Sequence, residues 1–344
     1  MQSLDQRRAC MITRSAQKIE SVDWQIALRD AYTRPAELLA MLGLEAKAVG
    51  LSEAAARSFA FRVPRAYAAL IKLGDPHDPL LRQVLPVTAE LRQTAGYLSD
   101  PVGDLAAQHP PGLLHKYQGR ALLVVTGACA IHCRYCFRRE FPYGEAVGSA
   151  RLEDALAALA TTPDIEEVIL SGGDPLTLSD ERLTSLVAQI TALPHVRRLR
   201  VHSRLAVTLP SRITPGLIHW LSATRLAPVL VVHANHAHEL SDEFARAVWP
   251  LRAAGVTLLN QSVLLRGVND SPEVLVALSR RLHDCGVLPY YLHALDRARG
   301  TAHFAVSTRR ARMLMHALRQ ALPGYLVPRF VREVAGAPFK VPLG

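Results

Sequence analysis

Cys129, Cys133 and Cys136 stand within one octet, Cys129-Ala-Ile-His-Cys133-Arg-Tyr-Cys136. Three thiolates on one loop can hold three irons of a [4Fe–4S] cube and leave the fourth iron open to an exogenous ligand. Zinc is the rival, with His132 or Cys285 as fourth ligand. Structural zinc usually takes two separated ligand pairs rather than one triplet. Buried thiols without a ligand seldom crowd in this way. The spacing favours the open cluster. Cys10 and Cys285 have no such neighbours and read as structural, Cys285 as a core residue at a helix end. Five cysteines are no disulfide framework, and they point to a reducing compartment.

A reactive loop needs a rigid support, and the sequence around it supplies one. Six apolar, β-branched runs recur: 121–126, 167–171, 196–202, 228–233, 256–264 and 287–292. Between them lie amphipathic segments of helical length with start signals. Ser179 precedes Asp180 and Glu181, and Thr214-Pro215 and Ser271-Pro272 place a capping hydroxyl before a first-turn proline. Repeated strand–helix units mean a parallel sheet. Polar residues end each strand: the cysteines, Gly172-Gly173-Asp174, His202/Arg204, His233/Asn235/His236, Gln261/Ser262 and His293/Asp296. They converge on one mouth in a barrel but are strung along an edge in an open sheet. The expected fold is α/β, an incomplete (β/α)6 TIM-like barrel.

Upstream, 23–42 and 53–73 read as helices, with a shorter helix over 90–98 and loops at 74–79 and 100–101. Downstream, a helix over 308–322 leads into a Pro/Gly-rich tail, 323–344. The expected layout is an N-terminal helical region (1–105), the barrel (106–305), and a C-terminal helix and tail (306–344).

Composition bounds the function. With 344 residues, 49% hydrophobic and 20% charged, the chain has material for a core and is not disordered. Apolar runs are too short for a membrane span, and the N-terminus lacks a signal-peptide core, so a cytoplasmic protein is expected. The net charge of +10 raises nucleic acid or anionic small molecules as partners. No basic run appears, and arginine dominates. Lys18, Lys47, Lys72, Lys116 and Lys340 are the only lysines among 40 basic residues.

The cysteine spacing after the first strand, followed by Gly172-Gly173-Asp174-Pro175 after the second, resembles the radical S-adenosylmethionine (SAM) enzymes. HKYQGRALLVVTGACAIHCRYCFRR, SGGDPL, LRVHSRLAVTLPSRIT, NQSVLLRGVND, PYYLHALDRARGTAHF and GYLVPRF resemble the lysine 2,3-aminomutase family. FRVPRAY and DPLLRQVLP are similar to its short bacterial branch, whose β-lysine serves modification of elongation factor P. The resemblance runs from about residue 60 onward.

It implies an isomerase that moves the α-amino group of L-lysine to the β-carbon, using a [4Fe–4S] cluster, SAM and pyridoxal 5′-phosphate (PLP), fed by an electron donor such as a flavodoxin or ferredoxin. Residue by residue, Cys129, Cys133 and Cys136 match the cluster ligands, and Gly172, Gly173 and Asp174 the stretch at the amino end of SAM. Arg138 matches the arginine for the substrate carboxylate, a pairing that suits a guanidinium. Lys340 matches the Schiff-base lysine of PLP. Lys116, Tyr117 and Arg120 match PLP contacts, though the family has arginine where Lys116 stands. Gln261 falls near PLP or SAM, and Asn235 and His233 sit at strand ends able to reach SAM.

Asp296 matches one of two carboxylates that read the distal ammonium of lysine. The second, an aspartate in the family, falls on Glu333, a longer acid that would alter pocket depth. The tail around Lys340 departs from the family's glycine-rich pattern at Ala337 and Phe339. The resemblance does not extend to the C-terminal extension of longer members, linked to zinc binding and assembly, so their assembly is not expected to carry over. The rivals are a radical SAM enzyme acting on another amino acid or on RNA, and an electron carrier or zinc-stabilised binding module. RNA is disfavoured because no RNA-binding module is recognisable and the PLP residues would be idle.

Overall fold

Residues 24–343 are described by the computed structural model, so Cys10 and Lys18 lie outside the described residues. Nine strands run in chain order through one sheet: β1 (Leu113–Tyr117), β2 (Arg120–Thr126), β3 (Glu167–Gly172), β4 (Arg198–Ser203), β5 (Ala227–Val232), β6 (Thr257–Val263), β7 (Leu288–His293), β8 (Arg329–Arg332) and β9 (Val341–Pro342). Strands β2 to β8 pair in parallel, each with the next. Strands β1 and β9 close the two ends in antiparallel pairing. The six expected runs are β2–β7, which makes the incomplete α/β barrel.

The sheet goes further than six strands. The segment expected as a tail contributes β8, a seventh parallel strand, and β9. Strand β8 reads RFVR, too short and too charged at its ends to carry a period of two. Lys116, expected before the first strand, lies within β1.

Parallel strands bury both faces, and Val168, Ile169 and Leu170 in succession are buried. Helices Asp180–Thr191, Pro215–Ser222 and Pro272–Asp284 return the chain between strands. Ser179, Thr214 and Ser271 cap them, each side-chain oxygen accepting a backbone N–H three residues on. Cys285 ends the last of these helices and is buried, as expected. The main core lies between these helices and the sheet. No helix among the described residues is long and apolar enough to cross a membrane.

The N-terminal part is more broken than its periodicity suggests. The two long expected helices are four short ones, Trp24–Arg29, Pro35–Leu42, Glu53–Ser58 and Arg65–Ala68. An antiparallel bridge, Tyr32 to Val63, interrupts both. Arg34 is held extended before Pro35, which ends the first segment. The expected helix over 90–98 is a single 3-10 turn, Thr88–Leu91.

This part has its own apolar cluster, built on Tyr32, Leu38, Val63, Tyr67, Leu80 and Leu85. Ile131 of the cysteine loop belongs to that cluster, and Cys133 packs against it. The N-terminal part is therefore the wall behind the loop.

Candidate active site

Arg134, inside the cysteine octet, anchors the loop to that wall. Its side chain is fully buried and grips Glu90 bidentately, Nε to Oε1 at 2.8 Å and Nη2 to Oε2 at 2.6 Å. It also donates to the carbonyls of Phe59 (2.7 Å) and Ala55 (3.1 Å). Arg139 adds a bond to the same Glu90 at 2.9 Å. Arg134, Arg139 and Glu90 were not among the residues singled out from the sequence.

The other side of the loop rests on β3. A Cβ at Gly172 would lie 2.4 Å from the carbonyl oxygen of Thr126, and one at Gly173 2.3 Å from that of Ala128. Both approaches are too close for a side chain, so the Gly-Gly pair is what lets the cysteine loop pack on β3. Asp174 accepts from the N–H groups of Leu176, Arg204 and Leu205 and from the Ser203 hydroxyl. Its carboxylate ties the end of β3 to the end of β4, and both of its oxygens are occupied.

Cys133 Sγ accepts a bond from the buried Arg204 Nη1 at 2.7 Å. Arg204 is held in turn by Glu239 (2.9 Å) and Gln83 (2.8 Å) and touches the Tyr135 hydroxyl. Asn235 joins the same network, donating to Gln83 at 2.9 Å and Tyr135 at 2.6 Å and accepting from Val263 N–H at 2.8 Å. Burial, then the neighbouring Cys133, pushes the Cys136 thiol up to about 11. Burial also pushes the Cys129 thiol well up.

A short contact from a cationic donor to sulfur suits a thiolate, and the three sulfurs fit a cluster in which iron replaces the thiol protons. No three Cys, His, Asp or Glu side chains among the described residues converge as one metal ion would require. A cube takes each thiolate on its own iron and needs no such convergence.

The tail supplies the second half of the site. Lys340 Nζ pairs with Glu333 Oε2, and the Tyr117 hydroxyl donates to Glu333 Oε1 at 2.6 Å. Lys116 lies 3.6 Å from Glu333 Oε1 and 2.5 Å from Asp104 Oδ1. Asp104 Oδ2 accepts from Arg138 Nε at 2.6 Å. Lys340, Glu333, Lys116, Asp104 and Arg138 thus form a chain of alternating charge. It runs from the edge where β8 and β9 end the sheet, past β1 at the other edge, to the cysteine loop. The two ends of the incomplete barrel meet through side chains. Asp104, the link between Lys116 and Arg138, was not among the residues singled out from the sequence.

Burial opposes the charge of Glu333, yet Lys340 and Tyr117 hold its carboxyl below the usual range. Burial likewise opposes Asp104, and Arg138 and Lys116 overrule it. Lys340 and Lys116 also favour the charge of Asp296, but here they are outweighed. Burial first, then the Glu333 charge, pushes its carboxyl up to about 7. No hydrogen bond or ion pair engages that carboxylate among the described residues. Arg120 lies over the Tyr117 ring at 4.7 Å and lines a cavity of about 630 Å³ together with Lys340, Tyr291, Arg319 and Arg329.

Histidines line the space between the halves. Burial pushes His233 and His293 down to about 3 and lowers His202 well below its ordinary value. All three are neutral at pH 7. Gln261 Nε2 meets His233 Nε2 at 2.8 Å. Nε2 of His202 and of His293 is buried without a partner. The charges of both Arg138 and Lys340 bear on His202. Unpartnered buried nitrogens between Arg138 and Lys340 fit a site that takes a polar organic ligand.

Comparison with known proteins bears on both halves. The 4Fe-4S single cluster domain family matches residues 118–198. The chain is 49% identical to an L-lysine 2,3-aminomutase of Escherichia coli over 325 residues, 93% of this chain and 94% of that one. It is 44% identical to one of Haemophilus influenzae, covering 93% of this chain and 95% of the relative. With one of Clostridium subterminale the identity is 36%, over 93% of this chain and 77% of the longer relative. Among solved structures, a radical SAM methyltransferase from Sphaerobacter thermophilus aligns with a TM-score of 0.45 and 18% identity, covering 64% of this chain and 68% of that one.

Proposed function

The chain belongs to the L-lysine 2,3-aminomutase family, and on that premise we propose that it converts L-lysine to β-lysine at the mouth described above. The observation that carries the reading is the charge chain joining Lys340 to Arg138, which supports one site for the lysine proposed to carry PLP and the arginine proposed to clamp a substrate carboxylate. Cys129, Cys133 and Cys136 would hold the cluster, Lys340 would carry PLP, and Tyr117, Arg120 and Lys116 would border it. When bound, the cluster with SAM supplies a hydrogen-abstracting radical, and PLP supplies a conjugated partner for the migrating nitrogen.

The chain's own residues do the rest. Glu333 accepts a hydrogen bond from Lys340 Nζ and so holds the amine at the sheet opening, where PLP would meet it. Arg138 fixes the substrate carboxylate, and Asp296, with no partner of its own, takes the distal ammonium. Two charges read at opposite ends hold the β-carbon in one place, which is the main protein contribution to a radical step. The neutral, buried His202, His233 and His293 add no acid to that space. Gly172, Gly173 and Asp174 act on SAM by fixing the cysteine loop and the Arg204 turn. Asn235 and Gln261 complete the wall.

Three finer points belong to the same proposal. β-Lysine made here serves modification of elongation factor P, a reading supported by FRVPRAY and DPLLRQVLP. The reductant is a flavodoxin- or ferredoxin-like donor. The compartment is the cytoplasm.

The test is one anaerobic reaction. Protein reconstituted with iron, sulfide and PLP is given dithionite, SAM and L-lysine, and products are resolved by mass. β-Lysine is expected from the wild type and at least ~1,000-fold less from Lys340→Ala and Cys133→Ala. SAM cleavage without β-lysine would instead put another amino acid in the site.

A further inference from the structure

We propose that Asp104 is a positioning residue: it aims the guanidinium of Arg138 at the substrate carboxylate and ties that clamp to the cofactor side through Lys116. The inference rests on the reading of Arg138 given above. Asp104 is buried and grips Arg138 by Nε, the side edge of the guanidinium. Ser171 takes Nη1 at 3.3 Å, and the rings of Phe137 and Phe141 lie beneath at 5.0 and 5.9 Å. Nη2 has no partner among the described residues. A guanidinium held from one side and stacked from below presents its remaining N–H groups in one direction.

The loop that carries Asp104 is itself fixed. Asp100 accepts from the N–H of Asp104 at 2.8 Å and of Leu105 at 3.0 Å. Gly103, at φ +68°, comes so close to the tail that a Cβ there would sit 2.9 Å from Ala335 Cβ. Lys116 Nζ returns to the same loop, donating to Val102 O at 2.8 Å while it pairs with Asp104. Asp104 therefore stands at the crossing of the cysteine loop, the first strand and the tail. Its two cationic partners are those read above as facing a carboxylate and the cofactor. A carboxylate between them keeps the pair from collapsing onto one incoming anion and sets the spacing between the two.

The experiment uses PLP-loaded protein without SAM and reads ligand binding from the visible absorption of the cofactor. The probes are L-lysine and L-lysinamide, which lacks the carboxylate charge. Wild type is expected to prefer lysine. In Asp104→Asn that preference shrinks about tenfold, through weaker lysine binding with lysinamide nearly unchanged. Asp104→Asn placed on Arg138→Gln shrinks it no further. An unchanged preference, an equal loss for both probes, or multiplying effects in the double variant would overturn the proposal.

If Asp104→Asn fails to fold or to load PLP, Asp104→Glu carries the test. Its extra methylene displaces the guanidinium while keeping the charge, and the same narrowing is expected. A folded Asp104→Glu with wild-type preference overturns the proposal. Wild type with no preference for lysine sinks the Arg138 clamp and this inference together. Wild type that prefers lysine but forms no β-lysine sinks the aminomutase reaction alone.

Discussion

The cysteine half and the tail half of the site are built differently. Around the cysteines, Arg134, Glu90, Arg204, Gln83, Glu239 and Asn235 bond one another and the backbone in a buried network, which leaves Arg204 Nε without a partner. Around Lys340, four ion pairs span the sheet opening, and Lys340 itself stands between an exposed Phe339 and a terminal strand of two residues. A cluster must be gripped in one geometry, so its half is made of bonds internal to the protein. The tail half instead holds its cations with carboxylates of its own, the arrangement that the proposed binding of anionic organic ligands would need to exchange.

That contrast can be broken in order of effect. Glu90→Ala leaves Arg134 buried without its counter-charge, a loss of about 3–5 kcal/mol. A fall in melting temperature of roughly 10 °C and poor iron retention are expected. Glu333→Gln in the tail half should melt within about 2 °C of wild type while binding PLP less well. Equal destabilisation in the two variants would erase the distinction.

Arg204→Met removes one charged N–H to Cys133 Sγ, worth about 1.5 kcal/mol. The cluster potential, read by redox titration with electron paramagnetic resonance, should fall by about 60 mV for a one-electron couple. An unchanged potential would make Arg204 a packing residue only.

In the tail half the sensitive group is Asp296, raised to about 7. Its carboxyl is neutral below that value, so lysine affinity should fall up to about tenfold per pH unit as pH drops through 7 and below, and recover above it. Asp296→Asn should bind weakly at every pH and flatten the profile. The smallest effect belongs to neither half. Ser271→Ala removes a helix cap worth ~1 kcal/mol and should lower the melting temperature by about 2 °C with cofactor binding intact.

Much of the framework was legible because strands β2–β7 and their caps are local patterns. Ser179, Thr214 and Ser271 cap where hydroxyl and proline or acid stood in sequence. Strands β1 and β8 were not legible, since each is short and exists by pairing with a neighbour already in place. The first helices were over-extended for the same reason: the Tyr32–Val63 bridge is a tertiary decision that periodicity does not record. Of the site, cysteine spacing and scarce lysines left signals. Asp104 and Glu90 left none, because an acid in a loop becomes a keystone only when arginines distant in sequence fold onto it. The Gly172-Gly173 pair was legible as a motif, and its packing against the cysteine loop was not.

The sequence separations in these contacts also order the events of folding. Arg134 meets Glu90 across 44 positions, whereas Tyr117 meets Glu333 across 216. Closing the longer loop costs about 1.4 kcal/mol more in chain entropy. Of these two contacts the Arg134–Glu90 pair therefore has the shorter search, and Tyr117 meets Glu333 only across nearly the whole sheet.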